Sequence, residues 1–334
     1  MKISFALMFA AVAAFFLWAY PDHEQEDRYY SNQGHIFGTY YNIRYCAGKD
    51  LEKGILKTLK EFDNSLSTFN QKSTLSLINQ NKSESTDKYF RQMYSKAQQV
   101  WQLSDGAFDI TVAPLVNAWG FGFKNKEEVT AGLIDSLLQY VGMPKTSMEG
   151  ELLKKTDPRI MLDASAIAKG QACDVVAEYL RKQGCKNLLV DIGGEVVLQG
   201  VNEKGEPWRV GITKPQDDLT GTHNEIQEII SSTSLSMATS GNYRQFYFDN
   251  GVRRSHTIDP RTGYPVNHSL LSATVIAENC MTADALATAC MVLGKDSALS
   301  MISALPGTDC YLIYSSGDSI AILMTEGMKA LTGK

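Results

Sequence analysis

The chain has 334 residues, 44% hydrophobic and 21% charged, the make-up of ordinary globular protein. Its formal net charge of −5 argues against a nucleic-acid-binding surface, which is normally basic. An acidic chain that holds an anion needs a cation, a helix N-terminus or a local basic patch.

In chain order, the N-terminus carries the clearest compositional signal. Lys2 precedes a run from Ile3 to Tyr20 in which only Ser4 is polar, and Pro21-Asp22-His23-Glu24 follows. A positive charge and then an apolar stretch is the layout of a secretory signal. The run is close to the roughly 18 residues at which a membrane-spanning helix becomes plausible. Leu17-Trp18-Ala19 makes a poor cleavage site, and no cysteine near the end of the run offers a lipid attachment point. Residues 1–20 read as a signal peptide or signal-anchor and 21–33 as a juxtamembrane linker. Residues 34–330 read as a single domain outside the cytoplasm.

His35 to Tyr45, rich in Tyr, Phe and Ile, reads as the first strand. Leu51, Ile55, Leu59, Phe62 and Leu66 recur at helical spacing and predict an amphipathic helix over 51–66. A polar stretch from Ser67 to Ser73 leads into a short turn of helix through Leu75–Ile78, and Tyr89–Ser104 is a further helix. The glycine- and aromatic-rich stretch Ala107–Gly122 reads as a loop. Ala164–Gln183 reads as a helix ended by Gly184. Asn187–Ile192 and Val196–Leu198 read as strands joined through Gly193-Gly194. Trp208–Ile276 reads as short strands broken by Gly and Pro, Ala283–Leu293 as helix, and Tyr311–Tyr314 and Ile320–Met324 as closing strands. Strands interleaved irregularly with helices predict an α+β fold. The six cysteines (46, 173, 185, 280, 290, 310) show no C-x-x-C, and no zinc site is expected; buried free thiols are the simplest reading of Cys173, Cys280 and Cys290.

Four segments carry candidate chemistry. Asp284 and Thr288 are four apart on a predicted helix, so a carboxylate and a hydroxyl share one face. Two such oxygens suit a hard cation such as Mg²⁺, although the spacing alone fits an Asp favoured by the helix dipole somewhat better. In Leu162-Asp163-Ala164-Ser165-Ala166-Ile167-Ala168-Lys169-Gly170, Asp163 or Ser165 is placed to cap a helix, and Lys169 to reach a phosphate or to lie solvated. Asp191-Ile192-Gly193-Gly194-Glu195 matches no nucleotide-binding fingerprint and reads as a tight turn. His256 lies beside Asp259 in a turn-rich segment where a base and its orienting group could sit, though Asp259-Pro260-Arg261-Thr262-Gly263 is also a good turn sequence.

Taken in order, these pieces resemble the FAD:protein FMN transferases, the ApbE family. Phe37-Gly38-Thr39, Ser67-Thr68-Phe69, Gly106-Ala107-Phe108-Asp109-Ile110-Thr111 and Pro114-Leu115-Val116-Asn117-Ala118-Trp119-Gly120-Phe121-Gly122 carry the first part. Leu162–Gly170, Gly193-Gly194, Ala238–Arg244, Ser255–Pro265 and Asp284–Thr288 carry the rest.

The resemblance implies a single ApbE-like, T-fold-like domain of mixed sheets with packed helices. It implies transfer of FMN from FAD to a Ser or Thr hydroxyl of an acceptor protein, with release of AMP and dependence on Mg²⁺. By the same resemblance Asp284, Thr288 and the backbone carbonyl of Ala166 would hold the metal, and His256 would be the general base. FAD contacts would fall to Phe37, Phe69, Ala107, Phe108, Asp109, Asp163, Lys169 and Ile258. The implied location is the periplasmic face of a bacterial inner membrane, with FMN-binding subunits of membrane redox complexes as acceptors. The sequence departs from the family pattern at Phe37, at Ala164-Ser165, at Asn242 and at Ala287, where some relatives place another acidic ligand. An FAD diphosphatase and an exported FAD-binding protein are the alternatives.

Overall fold

The computed structural model describes residues 27–121, 129–215, 225–242, 246–249, 252–317 and 319–332. The expected signal at 1–20 therefore lies outside the described residues, as do Gly122, Tyr243 and Arg244. No helix among the described residues is long and apolar enough to cross a membrane.

The chain opens with β1 (Arg28–Ile36) and β2 (Thr39–Ala47), followed by α1 (Glu52–Leu66), α2 (Thr74–Asn79), α3 (Lys88–Leu103), α4 (Ala113–Ala118) and α5 (Ala131–Leu138). A small hairpin, β3 (Thr146–Glu149) and β4 (Leu152–Lys155), leads to α6 (Ala168–Lys182). Strands β5 (Leu188–Ile192), β6 (Glu195–Gln199), β7 (Trp208–Thr213), β8 (Ile226–Ser232), β9 (Ser234–Gly241), β10 (Phe246–Asp249), β11 (Val252–Ser255) and β12 (Leu270–Ile276) come next. Helices α7 (Cys280–Leu293) and α8 (Lys295–Ser303), strands β13 (Asp309–Ser316) and β14 (Ser319–Met324), and α9 (Glu326–Thr332) close it.

Eight strands form one sheet in the order β1-β2-β5-β6-β9-β12-β13-β14, with every neighbouring pair antiparallel. Side chains alternate across a strand, so each strand feeds two different cores. Ile43, Val190, Val197, Ala238, Val275 and Leu312 face a large core shared with the helices α1, α3, α6 and α7. Leu189, Val196, Leu198, Met237, Tyr311 and Ile313 face the other way, onto Trp208, Ile212 and Ile230 of the β7–β8 hairpin and Met328 of α9. α7 is buried along most of its length, which explains its run of Ala and Cys: small side chains let it sit between the sheet and α6.

Several expectations are corrected. The first strand is a hairpin of two, turning at Phe37-Gly38, where both residues have positive φ (54° and 74°). Its first strand begins at Arg28, inside the segment read as linker, because pairing with β2 satisfies its backbone. Ala107–Gly122 is not a loop in its described part: a 3₁₀ turn at Ile110–Val112 runs into α4. Leu115 and Trp119 hold it there by packing with Ile134, Val141 and Ile258 into a third small core, with the Trp119 indole N–H donating to the Gly263 carbonyl at 2.8 Å. The sixth helix begins at Ala168, not Ala164, and neither Asp163 nor Ser165 caps it. The Asp163 carboxylate instead accepts from the Ser165 N–H at 2.8 Å, tightening the turn before the helix.

Where α6 meets α7, each helix supplies an acceptor to the other. Asp174 of α6 accepts from the Cys280 and Met281 N–H groups at 2.9 and 2.8 Å, two of the donors a helix start leaves unpaired. Burial pushes the Asp174 carboxyl up to about 6, against the two backbone bonds, which pull it down. Below its unfolded value of about 4 the raised group contributes its full stability, which is lost as pH rises through about 6. Asp174→Asn removes that proton. The stability of the natural chain relative to this variant should fall by about 2 kcal/mol between pH 4 and pH 7. Urea unfolding of both proteins at the two pH values measures it, and a pH-independent difference would show that this carboxyl does not titrate as argued.

Candidate active site

The floor of the site is the α6–α7 contact. A Cβ on Gly170 would lie 2.3 Å from the Cys280 carbonyl oxygen, so only glycine allows the two helices to come this close. Gly170 is the third residue of α6, and its N–H donates to Asp284 Oδ2 at 3.0 Å. Asp284 itself is 2% exposed and the fifth residue of α7, whose N-cap is Asn279. It therefore lies beyond the first turn, where the helix dipole favours acidic residues, and its burial needs another explanation. Burial pushes its carboxyl up while Lys169 nearby pulls it down, with a net rise. Thr288 follows one turn later on the same face, and its hydroxyl is 3.2 Å from that of Ser240 on β9. Asp284 and Thr288 stand on one helix, as the sequence predicts, and both line one cleft.

Lys169, the second residue of α6, is ion-paired with Glu195, the first residue of β6. Glu195 is 1% exposed, and burial pushes its carboxyl up to about 7 in spite of the ammonium beside it. Burial works against the Lys169 charge, but Glu195 and Asp284 outweigh it and hold that ammonium protonated. The default of a solvated lysine is thus replaced by one tethered at the base of the cleft.

The cleft has a volume of about 1220 Å³, and its wall collects residues from both halves of the chain. Phe69, Ala107, Phe108, Asp109, Asp163, Ala166, Lys169, His256, Ile258, Asp284 and Thr288, all singled out in the sequence, line it together. Phe37 does not line it; its ring packs edge-on against Phe62 at 5.6 Å, while the neighbouring Gly38 sits against the Phe69 ring. Phe69 is 67% exposed, a large apolar ring left open at the mouth. Asp109 is buried, and its carboxylate is engaged by the Thr111 N–H and hydroxyl (2.7 and 2.5 Å) and by the Met143 N–H (2.9 Å). It holds the wall in shape. The Asp163 N–H donates to the Ile110 carbonyl at 2.7 Å and joins the two wall segments.

The His256–Asp259 pairing anticipated from sequence is not formed. Both Asp259 oxygens accept from the Arg261 guanidinium, at 2.9 and 2.8 Å, which closes the turn locally. His256 instead has its ring against Phe121, 6.3 Å between centroids. Sequence reading passed over Phe121, Ser240 and Glu195 as site residues. For Glu195 a signal exists: a two-residue Gly193-Gly194 hairpin pairs Ile192 with Glu195, so Glu195 shares the face of Ile192, toward the helices.

The candidate metal donors are the Asp284 carboxylate, the Thr288 hydroxyl and the Ala166 carbonyl. Among the described residues no group of three His, Cys, Asp or Glu side chains is placed to hold a metal ion. A set with one carboxylate, all of it oxygen, is the kind a hard cation accepts when a ligand phosphate completes the shell.

Buried carboxylates, a lysine and a histidine gathered around one deep cleft define an enzyme of the α+β class. The signature of the ApbE family matches residues 37–312, and the chain belongs to that family. It is 39% identical to the FAD:protein FMN transferase of Vibrio cholerae over 282 residues, 81% of this chain and 83% of that one. It is 32% identical to the FAD:protein FMN transferase of Escherichia coli K12, over 99% of this chain and 98% of the other. Among solved structures, the flavin transferase ApbE from Vibrio cholerae superposes with a TM-score of 0.82 at 36% identity, covering 91% of this chain and 99% of that one. The apo flavinyl transferase ApbE of Pseudomonas stutzeri gives 0.83 at 30% identity, covering 92% and 98%.

Proposed function

We propose that this protein transfers the FMN moiety of FAD to a Ser or Thr hydroxyl of an acceptor protein and releases AMP. The observation that carries the reading is the convergence of Phe69, Asp109, Asp163, Lys169, His256, Asp284 and Thr288, far apart in sequence, on one cleft. The family membership supports the same reading.

In this reading Asp284, Thr288 and the Ala166 carbonyl would hold Mg²⁺. That ion would supply charge neutralisation at the diphosphate and stabilise AMP as a leaving group. Lys169 adds a second positive charge at the same place. The Phe69 ring and the Ala107-Phe108-Asp109 and Ile258 walls hold the rest of the dinucleotide. Phe37 supports the dinucleotide site from the hairpin tip behind Phe69. The acceptor hydroxyl attacks the phosphorus of the FMN half, forming a new P–O bond as the P–O bond to AMP breaks, and His256 takes the hydroxyl proton. A metal and a lysine resolve how an acidic chain binds an anionic ligand.

Lys2 and the apolar run at 3–20 support placing the domain on the periplasmic face of an inner membrane, with FMN-binding subunits of membrane redox complexes as acceptors. Purified protein with FAD and Mg²⁺, with and without an acceptor domain, tests the activity. A mass gain of one FMN on the acceptor is expected. AMP release without mass gain would indicate a diphosphatase instead, and neither product would leave only FAD binding.

A further inference from the structure

Glu195 is unusual among the acidic residues of the cleft. It is 1% exposed, it pairs with Lys169, and its Oε2 has no hydrogen-bond partner among the described residues. A carboxylate half-satisfied in a buried place is destabilising by itself, and apolar side chains fill the equivalent inward positions of the same strands, Ile192 and Val197. Its geometry is nevertheless tightly set. The hairpin register pairs it with Ile192, and the Cys173 thiol, one helical turn beyond Lys169, donates to its carbonyl at 3.1 Å. Strand and helix are locked to each other at this point. The Lys169 side chain is 32% exposed, and it lines the same cleft as Asp284 and Thr288.

We infer that Glu195 is a positioning residue: it fixes the Lys169 ammonium at the base of the cleft so that its remaining N–H groups meet a diphosphate. An ammonium carries three donors on a flexible stem. One donor spent on a carboxylate that cannot move leaves the others aimed, and most of the entropy of ordering the stem is lost before the ligand arrives. The inference rests on the proposed use of FAD as substrate, and it concerns Lys169 and Glu195 only, not the metal or the base.

The test is FAD affinity, read by quenching of flavin fluorescence on the full chain, beside transfer kinetics and thermal unfolding. Glu195→Ala and Lys169→Ala should each weaken FAD binding about tenfold, the scale of one charge-assisted hydrogen bond. The double variant should be no worse than either single one, because Glu195 acts only through Lys169. Glu195→Asp should recover part of the loss. Glu195→Gln, which keeps the shape, takes the same measurement should the alanine variant fail to fold. Unchanged affinity in a folded variant overturns the inference and leaves Glu195 a structural ion pair. Tighter binding, as when Glu195 competes with phosphate for the lysine, overturns it too, and so does an additive double variant. If the natural chain binds FAD but transfers no FMN, the transferase reading fails while this test still stands; if it binds no FAD, both fail.

Discussion

Asp284→Ala should abolish Mg²⁺-dependent turnover, with a loss of at least about a thousandfold, the scale of the several kcal/mol a Lewis acid supplies to a phosphoryl transfer. The residue is the one carboxylate in the proposed donor set, and Ala287 one residue before Thr288 brings no second one. Asp284 also accepts from the Gly170 N–H at 3.0 Å, so its removal leaves a buried donor unpaired and should cost about 1–3 kcal/mol of stability. Asp284→Asn separates the two jobs: its amide oxygen still accepts from Gly170, but it is a poor Mg²⁺ ligand. Both variants should lose AMP release across a Mg²⁺ titration, and only the alanine variant should melt substantially earlier. Undiminished turnover in either would sink the metal assignment.

His256→Asn should slow FMN transfer by about a hundredfold to ten-thousandfold, the range for a general base, while FAD still binds. The side chain stands on the short segment after β11, against Phe121 and two residues before Ile258, whose packing with Trp119 and Leu115 anchors the segment. Losing the imidazole leaves that anchor in place, so the dinucleotide site should persist. Single-turnover transfer to an acceptor domain, alongside FAD titration by fluorescence, measures the two effects separately. Transfer at the natural rate would remove His256 from the mechanism. Asp259 is committed to Arg261, so it is not the partner of the His256 ring that proximity in sequence suggested.

Much of the fold was readable from local pattern. The helices over Glu52–Leu66, Thr74–Asn79 and Lys88–Leu103 lie close to where the sequence puts helix at 51–66, 75–78 and 89–104, and the structure adds the caps Ser73 and Asp87. The hairpin through Gly193-Gly194 and the helix carrying Asp284 and Thr288 were equally legible. What escaped was decided by partners remote in sequence. Ala107–Ala118 has too little periodicity of its own to announce a helix. Its second half becomes a 3₁₀ turn and α4 because Leu115 and Trp119 bury against Ile134, Val141 and Ile258. Arg28–Gln33 is too polar to read as a strand, and it is one because β2 offers its edge.

The chain by itself marked out the candidate residues: the i, i+4 pair Asp284 and Thr288, Lys169 beside a glycine, and His256 in its turn, in an order that already resembled the ApbE family. Those are properties of residue type and spacing, which sequence records directly. The tertiary structure alone decided their company. It placed Glu195, 26 residues from Lys169, beneath that lysine. It turned Asp259 away from His256, and it brought Gly170 onto the carboxylate of Asp284, 114 residues distant. Such contacts depend on how an eight-stranded sheet and two small-residue helices pack, and no local pattern encodes that.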